Sequence, residues 1–404
     1  MSIKSSYDKV LYLTKISLLI SGINIYDHKL SYVMSLMTNT CLYYFNFVWL
    51  YLAIFGEVYW FIHGIRNGES FTELSLIAPC STISVLGTVK VHYLYYNHDT
   101  VVTILKKLKT IHPLLDTNED VDEDFEKDAA ERGIVKESMN YLRSVILLFF
   151  FVMFPVLIMF CLSPLALMVY DFVVLGESPI RYPYTVKYCF NIYETRLWML
   201  IYFHQVWATI IVIANLFASD TLFYGLCAYL GMHFKLLCYR LENVVSVSRE
   251  ETKENLLNAI KRHQELINLV NLTESLYSKS MLFNMVTSSL LICLSGFNIT
   301  VSKDLRIVMA FITFLMLSLA QISLLCVFGD MITASSIEVS NAAYRCLWYN
   351  ADQGIKKDVL LVIMRSAKPC KLTAANFADI NLRAFTTILS RSWSYFALLR
   401  TMYD

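Results

Sequence analysis

Near the end of the chain, Thr387, Arg391, Ser394, Leu398 and Thr401 follow one another at steps of four, three, four and three. In a helix that spacing puts all five on one face, with Phe385, Ile388, Leu389, Phe396 and Leu399 on the other. The chemistry open to such a face is not covalent. Hydroxyls and a guanidinium can line a path for water and ions, and Leu398 can constrict it and gate by dewetting. A second reading uses the same residues differently: Arg391 pairs with a buried acid, and the hydroxyls satisfy backbone carbonyls. Residue types alone leave both open. Reaction chemistry does not surface elsewhere. The chain has no HExxH, no GxxxxGK[ST], no GxSxG and no glycine-rich dinucleotide turn, so neither an enzyme nor a bound cofactor is expected. A net charge of +1 offers nucleic acid no basic surface. The ten cysteines are scattered through apolar runs without metal-ligand spacing and read as small buried hydrophobes.

The elements that must position this face are membrane helices. The 404 residues are 56% hydrophobic and 17% charged, and the charges gather between long apolar runs. A bilayer core of ~30 Å needs ~20 mostly apolar helical residues. Leu30–Gly56, Ser144–Tyr170, Leu197–Ser219, Ser280–Ser302 and Ile307–Gly329 carry no charge at all. Leu74–Tyr96 qualifies with Lys90 near one end, where it can snorkel. Leu382–Leu399 is the seventh and the least apolar. His204, Gln205 and Gln321 read as single polar residues within the spans, without the paired carboxylates of a proton-coupled transporter. The N-terminal stretch, broken by Lys9 and Lys15, does not read as a signal peptide.

Lys and Arg concentrate in four segments: the N-terminal one, and those joining helices two to three, four to five and six to seven. The opposite segments hold far fewer, among them Arg66, Arg181, Lys187, Lys303 and Arg400. The positive-inside rule then predicts a cytosolic N-terminus and an extracellular C-terminus, the reverse of a G-protein-coupled receptor. On that topology Asn298, in Asn-Ile-Thr, lies outside as a glycosylation acceptor, and Asn271 lies inside. The tail after the last helix is short, as expected where a pore opens outward.

The cytosolic connections are long. From Asp220 to Tyr277 the sequence reads as two helical arms. Leu256, Ile260, His263, Ile267 and Val270 fall at helical spacing, and His263 is expected as a half-buried packing residue. The acidic run from Asp116 to Gly133 lacks the ligand spacing of a calcium loop and reads as a solvated loop or helix start.

The run GDMITASSIEVSNAAYRCLWYN, with SAKPCKLTAANFADINLRAFTTILSRSWSYFALLR after it, resembles the C-terminal signature of insect odorant receptors. Ala342-Ala343-Tyr344, Trp348-Tyr349, Pro369, Leu372-Thr373-Ala374, Phe385 and Ser394-Tyr395-Phe396 stand in the family's order and spacing. Gustatory receptors share that fold, but the SYFALLR ending lacks their usual TY…QF pattern.

The resemblance implies an all-α membrane protein of seven transmembrane helices, with cytosolic helical extensions forming an anchor. It implies a tuned subunit of a tetrameric, odorant-gated, non-selective cation channel, assembled with the odorant receptor coreceptor in the plasma membrane of olfactory sensory neurons. Three segments follow from it: 1–328 with helices one to six, 329–375 as the cytosolic anchor segment, and 376–404 as the pore-lining helix. The gate falls on Leu398, with Thr401 and Met402 beyond it. Arg391 and Ser394 also belong to the pore helix, and Arg391 faces either the axis or a neighbour. A small volatile ligand is implied in the outer half of the bundle, among Ile77, Cys80, Met153, Leu157, Phe160, Trp198, Tyr202, Gln205, Thr209, Thr287, Leu291 and Phe311. The alternatives are a gustatory-type channel, separated by whether currents need the coreceptor, and a metabotropic seven-helix receptor, separated by the side on which the C-terminus lies.

Overall fold

The computed structural model describes residues 9–25, 40–110, 125–176, 179–188 and 197–403. Helices dominate them. α1 spans Tyr12–Ile20, α2 Leu42–Asn67, α3 Phe71–Tyr96, α4 His98–Thr110 and α5 Phe125–Tyr170. α6 spans Trp198–Glu242, α7 Arg249–Val301 and α8 Leu305–Arg345. α9 (Gln353–Ser366) leads to an antiparallel hairpin of β1 (Thr373–Ala374) and β2 (Ala378–Asp379), and α10 (Leu382–Tyr403) follows. Of these, α2, α3, α5, α6, α7 and α8 are long and apolar enough to cross a membrane. α10 carries Arg383, Arg391 and Arg400 and falls outside that group.

Helix length separates a membrane layer from an extramembrane one. The 53 residues of α7 extend about 80 Å at ~1.5 Å per residue, against a hydrocarbon core of ~30 Å. The excess of α6, α7 and α8 projects at one end, here called the basic end, where α1, α4, α9 and the hairpin also pack. Arg240 makes a two-pronged bond to Glu131 there, at 2.7 and 2.8 Å, tying α6 to α5. α4 presents Val101, Ile104, Leu105 and Leu108 inward, all buried, at the i, i+3, i+4, i+7 spacing of one helical stripe. His263 is buried in the same layer, and burial together with the Arg365 guanidinium pushes its pKa down to about 4. It packs as a neutral ring.

α6 is the hub. From Ala214 to Phe234 all of its residues are buried, because the stretch is largely apolar, Asp220 and Thr221 find partners on neighbouring helices, and it is covered on every side. Tyr224 stacks on Phe328 of α8 at 4.8 Å and meets Phe149 of α5 edge-on at 5.9 Å. Leu11, at the start of α1, packs against Gly225, and Thr14 donates to Thr221.

The hairpin explains a glycine in the GDMITA run. A Cβ on Gly329 would stand 2.3 Å from the carbonyl oxygen of Ile380, so only a bare backbone lets the chain after β2 lie against α8. Ala375 and Asn376 turn the hairpin with positive φ of 49° and 60°. The turn then docks on α7: Ala375 N donates to Ser278 Oγ at 2.9 Å, and Thr373 donates to Glu274 at 2.6 Å.

Several expectations change. The first span runs on in α2 past Gly56 to Asn67; residues 26–39, where its expected start falls, lie outside the described residues, as does most of the acidic run. Glu57, which ends the uncharged stretch in sequence, sits inside that helix and is buried. Lys90 does not snorkel. It is 1% exposed and bonds Asp220 at 2.6 Å, and Gln321 donates to the other oxygen of Asp220 at 2.6 Å. The polar residues of the bundle are therefore networked, not single. No break marks 328/329, since α8 runs on unbroken to Arg345. Asn298 is fully buried, accepting from Ser75 at 2.8 Å and donating to Leu294 O at 2.9 Å. That geometry leaves no room for a glycan.

Candidate functional site

In the half of the bundle remote from the basic end, α3, α5, α6 and α8 stand apart around a cavity of about 830 Å³, counting its mouths. The capping box at the start of α3, with Ser70 and Glu73 bonded both ways at 3.3 Å, fixes where that helix enters. Pro155 and Pro164 lie within α5 beside the cavity and each removes a backbone donor there. Cys80, Ile83 and Leu86 line one wall, Met153, Val156 and Phe160 a second, and Ala208, Thr209 and Val212 a third. Leu291 of α7 and Phe314, Leu317 and Gln321 of α8 complete it. Such a wall is mostly apolar with a few polar groups, the composition that buries a small ligand.

The segment at 179–188 folds over the far end. Lys187 N donates to Gly56 O at 3.2 Å, and Val186 is buried against Gly56. Tyr188 meets the His204 ring at 2.9 Å. Tyr184 reaches the cavity wall itself. Beyond it lies a wider vestibule of about 1040 Å³, lined in part by Trp60, Glu69, Glu73, Ile77 and Phe311. Cys80, Phe160, Tyr184 and Phe314 line both spaces. They form an aromatic neck in which Phe160 stacks on Tyr184 with centroids 6.1 Å apart.

This geometry sorts the ligand residues expected from sequence. Cys80, Met153, Phe160, Thr209 and Leu291 converge on the inner cavity; Ile77 and Phe311 stand in the vestibule with Cys80 and Phe160. Leu157, Trp198, Tyr202, Gln205 and Thr287 line neither space. Tyr202 donates to Cys161 O, Gln205 is fully buried against Tyr184 N at 3.5 Å, and Thr287 bonds the Phe283 carbonyl of its own helix at 2.9 Å. Tyr202 and Gln205 tie α6 to α5 and to the 179–188 segment, and Thr287 is engaged within its own helix. Glu57, Tyr184 and Gln321 are cavity residues that the sequence reading did not assign. Glu57 was missed because its charge was taken as the end of a span.

At the other site, α10 buries one stripe and exposes the rest. Ser392 is fully buried and bonds Ser289 of α7 at 3.1 Å, and Phe396 packs on Gly296 at 3.5 Å. Arg391, Ser394, Leu398, Thr401 and Met402 are all exposed on the outside of the protomer. Ser394 bonds the carbonyl of Ser390. Among the described residues no acid forms an ion pair with Arg391, so the buried-acid reading of that residue finds no partner among them.

A bundle of long apolar helices enclosing a cavity of small-molecule size, with a polar helix face turned outward, is the architecture of a multi-pass membrane protein. The family model for the seven-transmembrane odorant receptors matches residues 70–392, and the chain belongs to that family, whose members are ligand-gated cation channels. Odorant receptor 67c of Drosophila melanogaster is 29% identical over 393 residues, covering 95% of this chain and 93% of that relative. Odorant receptor 85c of the same fly is 25% identical over 368 residues, 90% of this chain and 91% of its own length. The odorant receptor coreceptor of Aedes aegypti shares 29% identity over 141 residues, 35% of this chain and 30% of its own length. In fold the chain is similar to the olfactory receptor OR5 of Machilis hrabei in complex with eugenol. The TM-score is 0.79 at 16% identity, covering 99% of this chain and 98% of that one.

Proposed function

We propose that this chain is a tuned subunit of an odorant-gated, non-selective cation channel, working beside the odorant receptor coreceptor in a tetramer in the plasma membrane of olfactory sensory neurons. A small volatile ligand enters through the vestibule, passes the aromatic neck and settles among Cys80, Met153, Phe160, Thr209 and Leu291. The basic end lies in the cytosol, as the distribution of Lys and Arg supports. There α9, the hairpin and the extended arms of α6 to α8 form the anchor between subunits. Leu360, Leu361, Met364 and Phe377 are exposed on it, an apolar surface outside the membrane that suits a partner subunit. α10 lines the pore.

The observation that carries the reading is the cavity, apolar and roofed over, in the half of the bundle away from the anchor. Its test is a plug. Co-expressed with the coreceptor and recorded against an odorant panel, Met153→Trp should abolish or shift odorant-evoked currents by about a hundredfold, the scale of ~2.7 kcal/mol, while the subunit still reaches the surface. Unchanged dose responses for that variant and for Thr209→Trp would remove the ligand from this cavity.

A further inference from the structure

Most polar groups on the cavity wall are already engaged. Thr209 donates to Gln205 O at 2.9 Å, Ser318 to Phe314 O at 2.9 Å, and Gln321 to Asp220 at 2.6 Å. Glu57 differs. Its side chain is 2% exposed and lines the cavity, Ser81 reaches its carboxyl, and its Oε2 has no hydrogen-bond partner. Among the described residues no cation pairs with it. A carboxyl oxygen left bare in an apolar enclosure is costly, and in a cavity that admits a molecule the missing partner can come with it.

We propose that Glu57 is the polar subsite of this cavity, and that the ligand is a small apolar volatile with one hydrogen-bond-donating head, a hydroxyl or an amine. The inference rests on the cavity being the ligand site. Either head meets a carboxyl in both of its protonation states, because each has a proton to donate and a lone pair to accept one. A hydrocarbon of the same size fills the apolar wall and leaves Oε2 bare, whereas an ether, which only accepts, meets the protonated carboxyl alone. Discrimination by an unpaired buried group is stronger than discrimination by a methylene. Placed at the edge of an otherwise apolar wall, Glu57 also fixes which end of the ligand faces α2, with the apolar body pointing toward Met153 and Leu291.

The test uses the full chain co-expressed with the coreceptor and matched series of straight-chain alcohols, primary amines and alkanes of six to ten carbons. The readout is the ratio of half-maximal concentrations within one variant, which does not depend on how much protein reaches the surface. The wild type should prefer the alcohol or the amine over the alkane of equal length by about tenfold. Glu57→Leu should erase that ratio, as should the smaller Glu57→Ala where the leucine variant is not delivered. Glu57→Gln separates the heads: a hydroxyl keeps its advantage against the amide, and an amine that took the carboxyl proton loses it. No donor preference in the wild type, or a preference unchanged in Glu57→Leu and Glu57→Ala, overturns the proposal. Met153→Trp keeps this distinct from the broader reading. If it silences all three series while the Glu57 ratios stay flat, the cavity stands and the subsite falls.

Discussion

Lys90 and Asp220 come from helices 130 residues apart in sequence, and each side chain is 1% exposed. Two opposite charges at that depth are held by each other and by Gln321, which occupies the second carboxylate oxygen. Removing one member strands the other without water, which in buried pairs costs ~3–5 kcal/mol, whereas replacing both with apolar groups of similar volume is often neutral. Asp220→Leu alone should therefore strongly reduce the folded, surface-delivered subunit. Lys90→Met combined with Asp220→Leu should regain most of it. Thermal unfolding of purified protein across the four-member cycle checks this, and a single substitution costing less than ~1 kcal/mol would mean the pair is solvated. The network also meets function: Gln321 lines the cavity while it holds Asp220, so the floor of the ligand space and the tie between α3, α6 and α8 share one amide. The sequence reading set Lys90 at a span's edge because one dimension shows a lysine's distance from the run's end. It does not show the acid that faces it across the bundle.

The elements were legible wherever apolar runs had their natural punctuation. α3, α5 and α8 contain the expected spans, α6 and α7 match theirs to within one residue, and the arms from Asp220 to Tyr277 are helical as read. The reading slipped where a charge had been used as punctuation, so that α2 ends later than expected and carries Glu57 within it. Candidate ligand residues divided on a similar ground. Helical spacing told which residues share a depth, but not which of them other side chains had already claimed, and Tyr202 and Gln205 were taken up in that way. The hairpin is the element whose sequence signature was recognised before its physical reason was visible. Gly329 is that reason. Gly329→Ala drives a Cβ to 2.3 Å from a backbone carbonyl that cannot swing aside, and overpacking of this kind costs ~1–3 kcal/mol. The expected outcome is a subunit whose transmembrane half folds but whose hairpin lifts from α8. Hydrogen exchange should rise in 370–381 more than in α3 or α5, and co-purification with the coreceptor should fall. Equal protection along the chain in the variant would show that α8 absorbs the shift instead.

At the scale of the whole molecule, one protomer cannot make a conduit alone. α10 buries only the stripe through Phe385, Ile388, Ser392 and Phe396 against its own bundle, and leaves Leu398 58% and Met402 78% exposed. Arg391, Ser394 and Thr401 share that outward side. Guanidinium and hydroxyl groups at membrane depth need water or polar neighbours, and copies of this face around a common axis provide both. The arginine limits how many copies that is. Like charges brought together near an axis repel one another and the permeating cation, which favours a few tuned subunits among coreceptor subunits over a homomer. In the proposed channel Leu398 would stand where an apolar ring dries a narrow pore, and its polarity would set the closed state. Leu398→Ser, co-expressed with the coreceptor, should wet that ring without ligand and raise the odorant-independent current by about tenfold, a change of ~1.4 kcal/mol in the open–closed balance. The same variant should still respond to ligand, because Leu398 lines neither the cavity nor its vestibule. The pair of readouts is decisive: a quiet channel with intact odorant responses would place Leu398 against lipid or a neighbour, and another stretch of chain would have to carry the ions.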